Sequence, residues 1–386
     1  MTGSTRSFEI ARRLVKFGHS VTMITSNRDK SFKYKTGWHI THEDGIEVHW
    51  LSIPYSNSMG YTRRIFAFVK FLLSSIWRSK NLKPDIIFAT STPLTVAIPG
   101  IFISKWKKIP FIFEVRDLWP ENPIALKVIN DPFSIFLSQK LADFAYRHAR
   151  SIVALSPEMK KGIRLRGIEK KIKVVTNGSD TKVFFPNQKS DDFFRKKYNI
   201  PKSSILITYA GTFGLVNGIT YIVKLAKKFI NNPKVIFLLI GNGREKDKVI
   251  ALAKKYGCFN KNLFWINNLS KDQMPLALAA TDISLSTILP IKELEANSAN
   301  KIFDGLASGC CIAINHGGWI KDLLEKNKVG ISLSNNINLA YEEMNSIIKN
   351  QKKLAVFKNN ARNLAIEFFD YDILAKDIME LIEETK

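Results

Sequence analysis

The stretch Glu295-Ala-Asn-Ser-Ala-Asn-Lys-Ile-Phe-Asp-Gly-Leu-Ala-Ser-Gly309 places a cation and a carboxylate where they can act together. It predicts a polar loop and then a short helix, with Ser298 as the N-cap. Lys301 and Asp304 are three apart and share one helix face. A helix N-terminus offers free N–H groups and the positive end of a dipole, both of which favour a phosphate. A cation for phosphate and a carboxylate for ribose hydroxyls is the pair that a nucleotide-sugar site needs.

Three further clusters carry chemistry. Gly211-Thr-Phe-Gly-Leu-Val-Asn-Gly218 follows a strand and opens a helix, and its glycines let backbone approach a diphosphate. A tight turn with no ligand fits it equally well. Ile240-Gly-Asn-Gly-Arg244 is a similar turn, with Arg244 facing an anion or solvent. In Phe113-Glu-Val-Arg-Asp-Leu-Trp-Pro-Glu121, Asp117 and Glu121 could orient a sugar hydroxyl or accept a proton, and Arg116 could steady a phosphate. The alternative there is a local ion network. His39, His42, Glu43, Asp44 and His49 are close in sequence, but they lie around a turn and an alternating strand, so they read as polar positions facing water rather than metal ligands. There is no zinc spacing of Cys and His, and no Asp-x-Asp motif in a position that suits a divalent metal on a diphosphate, so no metal is expected.

These residues need a scaffold that gathers loops at one edge. From residue 84 the chain alternates short apolar runs with helical patterns. Runs near 85–90, 110–115, 151–155 and 173–176 read as buried parallel strands, and so do runs near 205–210, 235–240, 263–267, 282–287, 310–315 and 330–333. Two such series predict two doubly wound α/β domains facing across a cleft, with ligands at the carboxyl ends of the strands. The expected division is 1–180 and 190–368, joined by a linker near 179–190, with a final helix near 370–386 packing back on the first domain. The chain opens on a helical pattern, Phe8 to Phe17, where such a domain normally begins with a strand. An N-terminal strand is therefore expected to be missing, through a misplaced start codon or a real truncation.

The bulk numbers suit this reading. At 386 residues, 45% hydrophobic and 24% charged, the chain has the composition of a globular protein. Its three cysteines are no disulfide framework and fit a reducing compartment, and the start carries no apolar signal segment. The formal net charge of +24 favours anionic partners, although solvated lysine-rich helix faces would give the same figure. The run Ile65–Trp77 is too short to span a bilayer, and basic residues flank it. It could lie on anionic lipid, with positions 65, 69, 72 and 76 on one face, or it could pack in the core.

Four segments, Phe113–Glu121, Val174–Asp180, Tyr209–Gly218 and Glu295–Gly309, together resemble glycosyltransferase family 4, and within it the bacterial surface-polysaccharide branch that includes fucosamine transferases. The resemblance implies a GT-B fold of two Rossmann-like domains. It also implies retaining, metal-independent transfer from a nucleotide diphosphate sugar, UDP-linked and with an N-acetyl amino sugar among the candidates. The acceptor would be lipid-linked or oligosaccharide, in O-antigen or capsule synthesis, at the cytoplasmic membrane face.

By resemblance, Asp304 holds the ribose and Glu295 contacts the donor sugar. The spacing Glu295-x8-Asp304 is one longer than the family pattern, with Glu293 as the alternative. Where the family has an Arg and a Lys on the diphosphate, this chain has Thr212 and Asn217. Neutralisation is therefore expected from Lys301, Arg244 and backbone amides at Gly211, Gly214 and Ser298, with Asn300 completing the donor set. A frequent His-Asp pair is replaced by Arg116-Asp117. Asp117 and Glu295 are then the catalytic candidates, and Arg116 and Glu121 lie on the acceptor side. Rival readings are a non-catalytic membrane-associated relative, a nucleotide-sugar epimerase and a nucleic-acid-binding protein. The last is disfavoured because the basic residues are spread out and no nucleic-acid-binding motif is present.

Overall fold

The computed structural model describes residues 6–27, 36–53, 60–91 and 93–386. The expectations that rested on residues 1–5 lie outside them. The chain divides into two compact units, one of residues 6–175 with 375–386 and one of residues 176–374.

In the first unit α1 (Arg6–Lys16) leads to β1 (Thr22–Asn27), and β2 (Trp38–Glu43) and β3 (Ile46–Ser52) form a hairpin. The hairpin turns through Asp44 and Gly45, both at positive φ. Strand β3 also pairs in parallel with β1, giving a three-stranded sheet of order β1-β3-β2. After α2 (Tyr61–Ser79) come β4 (Ile87–Thr90), α3 (Ala97–Lys107), β5 (Phe111–Val115), α4 (Glu121–Ala125), α5 (Pro132–His148), β6 (Ser151–Ala154), α6 (Pro157–Leu165) and β7 (Lys171–Val174). Strands β4 to β7 make a second, four-stranded parallel sheet in chain order. Asp131 caps α5, accepting from the Ser134 N–H at 2.7 Å, and Ser156 caps α6. Residues 375–386 close the unit. Glu380 and Asp377 pair with Lys173 at 2.8 and 2.9 Å, and the Thr385 hydroxyl donates to Ser151 at 2.9 Å.

The second unit is one doubly wound sheet. Its elements are α7 (Gln188–Lys197), β8 (Ile205–Ala210), α8 (Thr220–Lys228), β9 (Val235–Ile240), α9 (Lys246–Lys255), β10 (Leu263–Ile266), α10 (Met274–Ala279), β11 (Ile283–Ser286), α11 (Asn300–Ala307), β12 (Cys311–Ile314), α12 (Trp319–Asn327), β13 (Gly330–Ser332), α13 (Ile337–Lys349), α14 (Gln351–Phe368) and the start of α15 (Tyr371–Thr385). Every strand pair is parallel, in the order β10-β9-β8-β11-β12-β13. The chain winds outward from β8 to β10, then returns to the other side of β8 at β11. That reversal is a switch point, where loops diverge and leave a crevice at the carboxyl ends. Strand β9 is buried at all six positions, as a strand covered on both faces must be. Phe213, Phe229, Phe237 and Leu285 fill one face of the sheet, and Phe303, Leu306 and Ile320 pack the helices of the other.

Candidate functional site

The carboxyl edge of the sheet in the second unit is assembled from four loops tied to one another. After β8 the chain turns at Gly211 (φ 157°). The Gly211 N–H donates to the Ile240 carbonyl at 2.9 Å, so it is spent on the sheet and is not the free phosphate donor that the sequence suggested. The carbonyl of Thr212 accepts from the Tyr209 hydroxyl at 2.8 Å and the Asn217 side-chain amide at 2.9 Å. Asn217 therefore braces this loop. The Thr212 and Gly214 N–H groups have no partner among the described residues.

The next loop is pressed on the first. A Cβ at Gly241 (φ 143°) would stand 2.0 Å from the Gly211 carbonyl oxygen, and one at Gly243 would stand 2.6 Å from the Phe213 oxygen. The Phe213 N–H donates to the Asn242 carbonyl at 2.9 Å. Beyond it Arg244 is exposed. The loop after β11 is held by the Leu289 N–H on the Val216 carbonyl at 2.8 Å, and by the Asn315 side chain, which bonds both the N–H and the carbonyl of Ile288 at 2.9 Å.

Helix α11 points its N-terminus into this edge without a capping side chain. The cap position is Ala299, not Ser298. Ser298 is buried and faces back, its hydroxyl accepting the Asn177 N–H at 3.2 Å and its carbonyl accepting the Asn177 side-chain amide. It is thus a strut, not a ligand donor. The amides of Asn300 and Lys301 lack partners among the described residues, and the Asn300 Oδ1 is buried and unbonded.

Lys301 lies inside this ring of loops. Its Nζ sits 4.0 Å from the centre of the Tyr209 ring and 2.9 Å from where a Cβ on Gly211 would stand. No carboxylate or hydrogen-bond acceptor meets it among the described residues, and burial pulls its pKa down to about 7. One turn on, Asp304 accepts the Ser179 hydroxyl at 2.7 Å. Glu295 accepts the Gly317 N–H at 3.1 Å through Oε1, while Glu293 is exposed. A Cβ on Gly318 would stand 2.8 Å from the Glu295 carbonyl, so only glycine lets this loop lie against Glu295.

In the first unit the polar centre lies at the end of β5. Glu114 is buried and accepts from Arg6 Nε at 2.8 Å and from the Thr90 hydroxyl at 2.6 Å. Burial alone would raise its carboxyl, but the charges of Arg6 and Arg116 and these hydrogen bonds outweigh that and hold it below the usual range. Arg6 is fully buried and also donates to the Val175 carbonyl at 2.9 Å. This pair was missed because Glu114 looks like a mid-strand interruption and Arg6 is remote in sequence. The Arg116 N–H donates to the Ser91 hydroxyl at 2.9 Å, and Asp117 beside it is half-buried. Glu121 accepts from Arg166 through Oε1 at 2.6 Å, and Arg166 also holds Asp143 at 2.7 Å. Glu121 is thus part of a local ion network, while its buried Oε2 has no partner among the described residues.

The model of the glycosyl transferase 4-like domain matches residues 2–178, and that of the glycosyl transferases group 1 matches 190–364. A colanic acid biosynthesis glycosyl transferase, WcaI, of Escherichia coli (strain K12) is 21% identical over 297 residues, covering 72% of this chain and 70% of WcaI. Among solved structures, sucrose-phosphate synthase from Thermosynechococcus elongatus superposes with a TM-score of 0.79 at 13% identity, over 97% of this chain and 91% of the synthase. Anabaena Alr3699/HepE in complex with UDP-glucose superposes at 0.70 and 14% identity, over 94% of this chain and 99% of HepE. These structural likenesses establish the fold.

Proposed function

This chain belongs to glycosyltransferase family 4, with the GT-B fold, and we propose that it transfers a sugar from a nucleotide diphosphate sugar to a lipid-linked or oligosaccharide acceptor in surface-polysaccharide assembly. The observation that carries this reading is Lys301: a buried ammonium that meets no counter-ion among the described residues, beside an uncapped helix N-terminus and two loop amides likewise without partners there. A diphosphate supplies the missing charge and accepts those N–H groups. UDP is the nucleotide we favour, since HepE of the same fold binds UDP-glucose. WcaI supports the polysaccharide setting.

In the proposed reaction Asp304 takes the ribose hydroxyls, Glu295 the sugar hydroxyls and Arg244 an outer phosphate oxygen. Lys301 and the α11 amides stabilise the charge that grows on the leaving diphosphate, a task done without a metal. Transfer is front-face and retaining, the leaving phosphate taking the acceptor proton. Asp117 positions the acceptor, with Arg116 beside it. The enzyme works at the inner membrane face, where lipid-linked acceptors reside. No helix among the described residues is long and apolar enough to cross a membrane.

The test is UDP release from a panel of UDP-sugars in the presence of a lipid extract. Turnover with one sugar supports the proposal. No release with any donor, while UDP still binds tightly, overturns it in favour of a non-catalytic relative. Mass spectrometry of the polysaccharide repeat with and without the gene tests the assembly role, which an unchanged repeat would exclude.

A further inference from the structure

Helix α2 presents an apolar ridge to solvent. Phe66 is 72%, Leu73 60% and Trp77 70% exposed, spaced so that they run along one side. The ridge passes through 65, 69, 73 and 77, whereas Leu72 and Ile76, expected on it, are half-buried. Such exposure on one helix could be incidental. Two neighbouring helices, however, do the same.

Helix α3 packs on α2 and carries Phe102 and Trp106, each 51% exposed, with ring centres 6.2 Å apart. Helix α5 packs on α3 and carries Phe133 at 74% and Phe136 at 56% exposure. Lysines stitch the three together. Lys107 donates to the Lys80 carbonyl at 2.8 Å and stands over the Trp106 ring, Lys105 stands over Phe144, and Lys140 over Phe136. Neither α2 nor α3 contains an Asp or Glu, and the one in α5, Asp143, is held by Arg166.

We propose that α2, α3 and α5 form one docking face for an anionic lipid bilayer, aromatic rings entering the headgroup boundary and lysines meeting the lipid phosphates. The identification rests on the membrane setting in the reading above, but its test does not. Large exposed apolar patches mark interaction sites, and this one alternates rings with ammonium groups, the arrangement an interface of oil and negative charge rewards. Charge decides among occupants. A second copy would bring the same cations into contact with these, at a cost in repulsion, whereas phosphatidylglycerol headgroups bring the complement.

The experiment is cosedimentation of the full chain with phosphatidylcholine vesicles, with and without phosphatidylglycerol. Two variants change exposed residues outside the transfer site: F66S/W77S on α2, and W106S/F136S on α3 and α5. We expect binding that requires phosphatidylglycerol and falls roughly tenfold or more in each variant, as the loss of two inserted rings implies. UDP affinity and melting temperature should stay unchanged in both. Loss in the α2 variant alone would overturn the three-helix face. No binding to anionic vesicles, or a dimer in sedimentation velocity that the variants dissolve, would overturn the lipid assignment. Vesicle binding without UDP binding would instead strike the transferase reading and leave this face standing.

Discussion

Lys301 stacks its ammonium on the Tyr209 ring at 4.0 Å and has no anionic partner among the described residues. Burying a charge without a counter-ion is costly, so a fold that keeps one there is organised around something that arrives later. The face of an aromatic ring offsets part of that cost and leaves the cation's other side open for a phosphate.

Lys301→Ala should therefore weaken UDP binding about 10- to 100-fold, the range of one charge-assisted contact worth ~1.5–3 kcal/mol. Calorimetric titration reads this directly. An affinity within twofold of the parent would remove Lys301 from the donor site.

Binding should also depend on pH in a definite sense. With its pKa near 7, empty-site Lys301 loses its proton as pH rises above neutrality, while a bound diphosphate retains the ammonium. UDP affinity should fall above pH 7 by up to about tenfold per unit, with proton uptake seen as an enthalpy that varies with the buffer. The phosphate has ionised by about pH 6, so the ligand does not mask the trend. The unfolded lysine holds its proton to higher pH, so the empty fold gains stability as pH rises through this window. An affinity flat from pH 7 to 9 would contradict the assignment.

Two glycine substitutions should separate folding from binding. Gly241→Ala drives a Cβ to 2.0 Å from the Gly211 oxygen, backbone against backbone at positive φ, and should cost roughly 1–3 kcal/mol or more in a denaturant melt. Gly211→Ala carries similar strain at φ 157°, but its Cβ meets chiefly the end of the Lys301 side chain at 2.9 Å, which can swing away, and no backbone atom as closely. It should lower UDP affinity more than stability. Equal melting losses in the two would show that the loops yield together.

The first unit offers a matching contrast. Glu121→Gln should lower the unfolding free energy by about 1 kcal/mol, read from a denaturant melt, because it leaves Arg166 with Asp143 alone, and should spare kcat. Asp117→Asn should lower kcat, and by a far larger factor than Glu121→Gln does. The reverse pattern would exchange their roles.

The parallel strands β4 to β13 were legible because strands buried in such sheets read as short apolar runs, as β9 does from Val235 to Ile240; β2, antiparallel and partly exposed, has no such run and was not. The final helix expected near 370–386 is α15, Tyr371–Thr385. Pairing was less legible. Ser298 looked like an N-cap because serine before a helix usually is one, yet a partner 121 residues away, Asn177, had claimed its oxygen. Glu121 was likewise engaged by Arg166, 45 residues on. Tyr209 gave no sign of meeting Lys301, since a tyrosine in a buried strand signals core. Local chemistry can be read from local sequence, but side-chain partners across the fold are set by packing.

The backbone contact between the loops that follow β8 and β9 bears on how such proteins diversify. Gly241 and Gly243 lie so close to residues 211–213 that neither loop can change shape alone. Grafting one from a relative with another donor should give a broken chimera; grafting both, with the strands untouched, should give a working hybrid. The two segments are thus one heritable cassette, and substrate preference in this lineage would change by exchanging the pair.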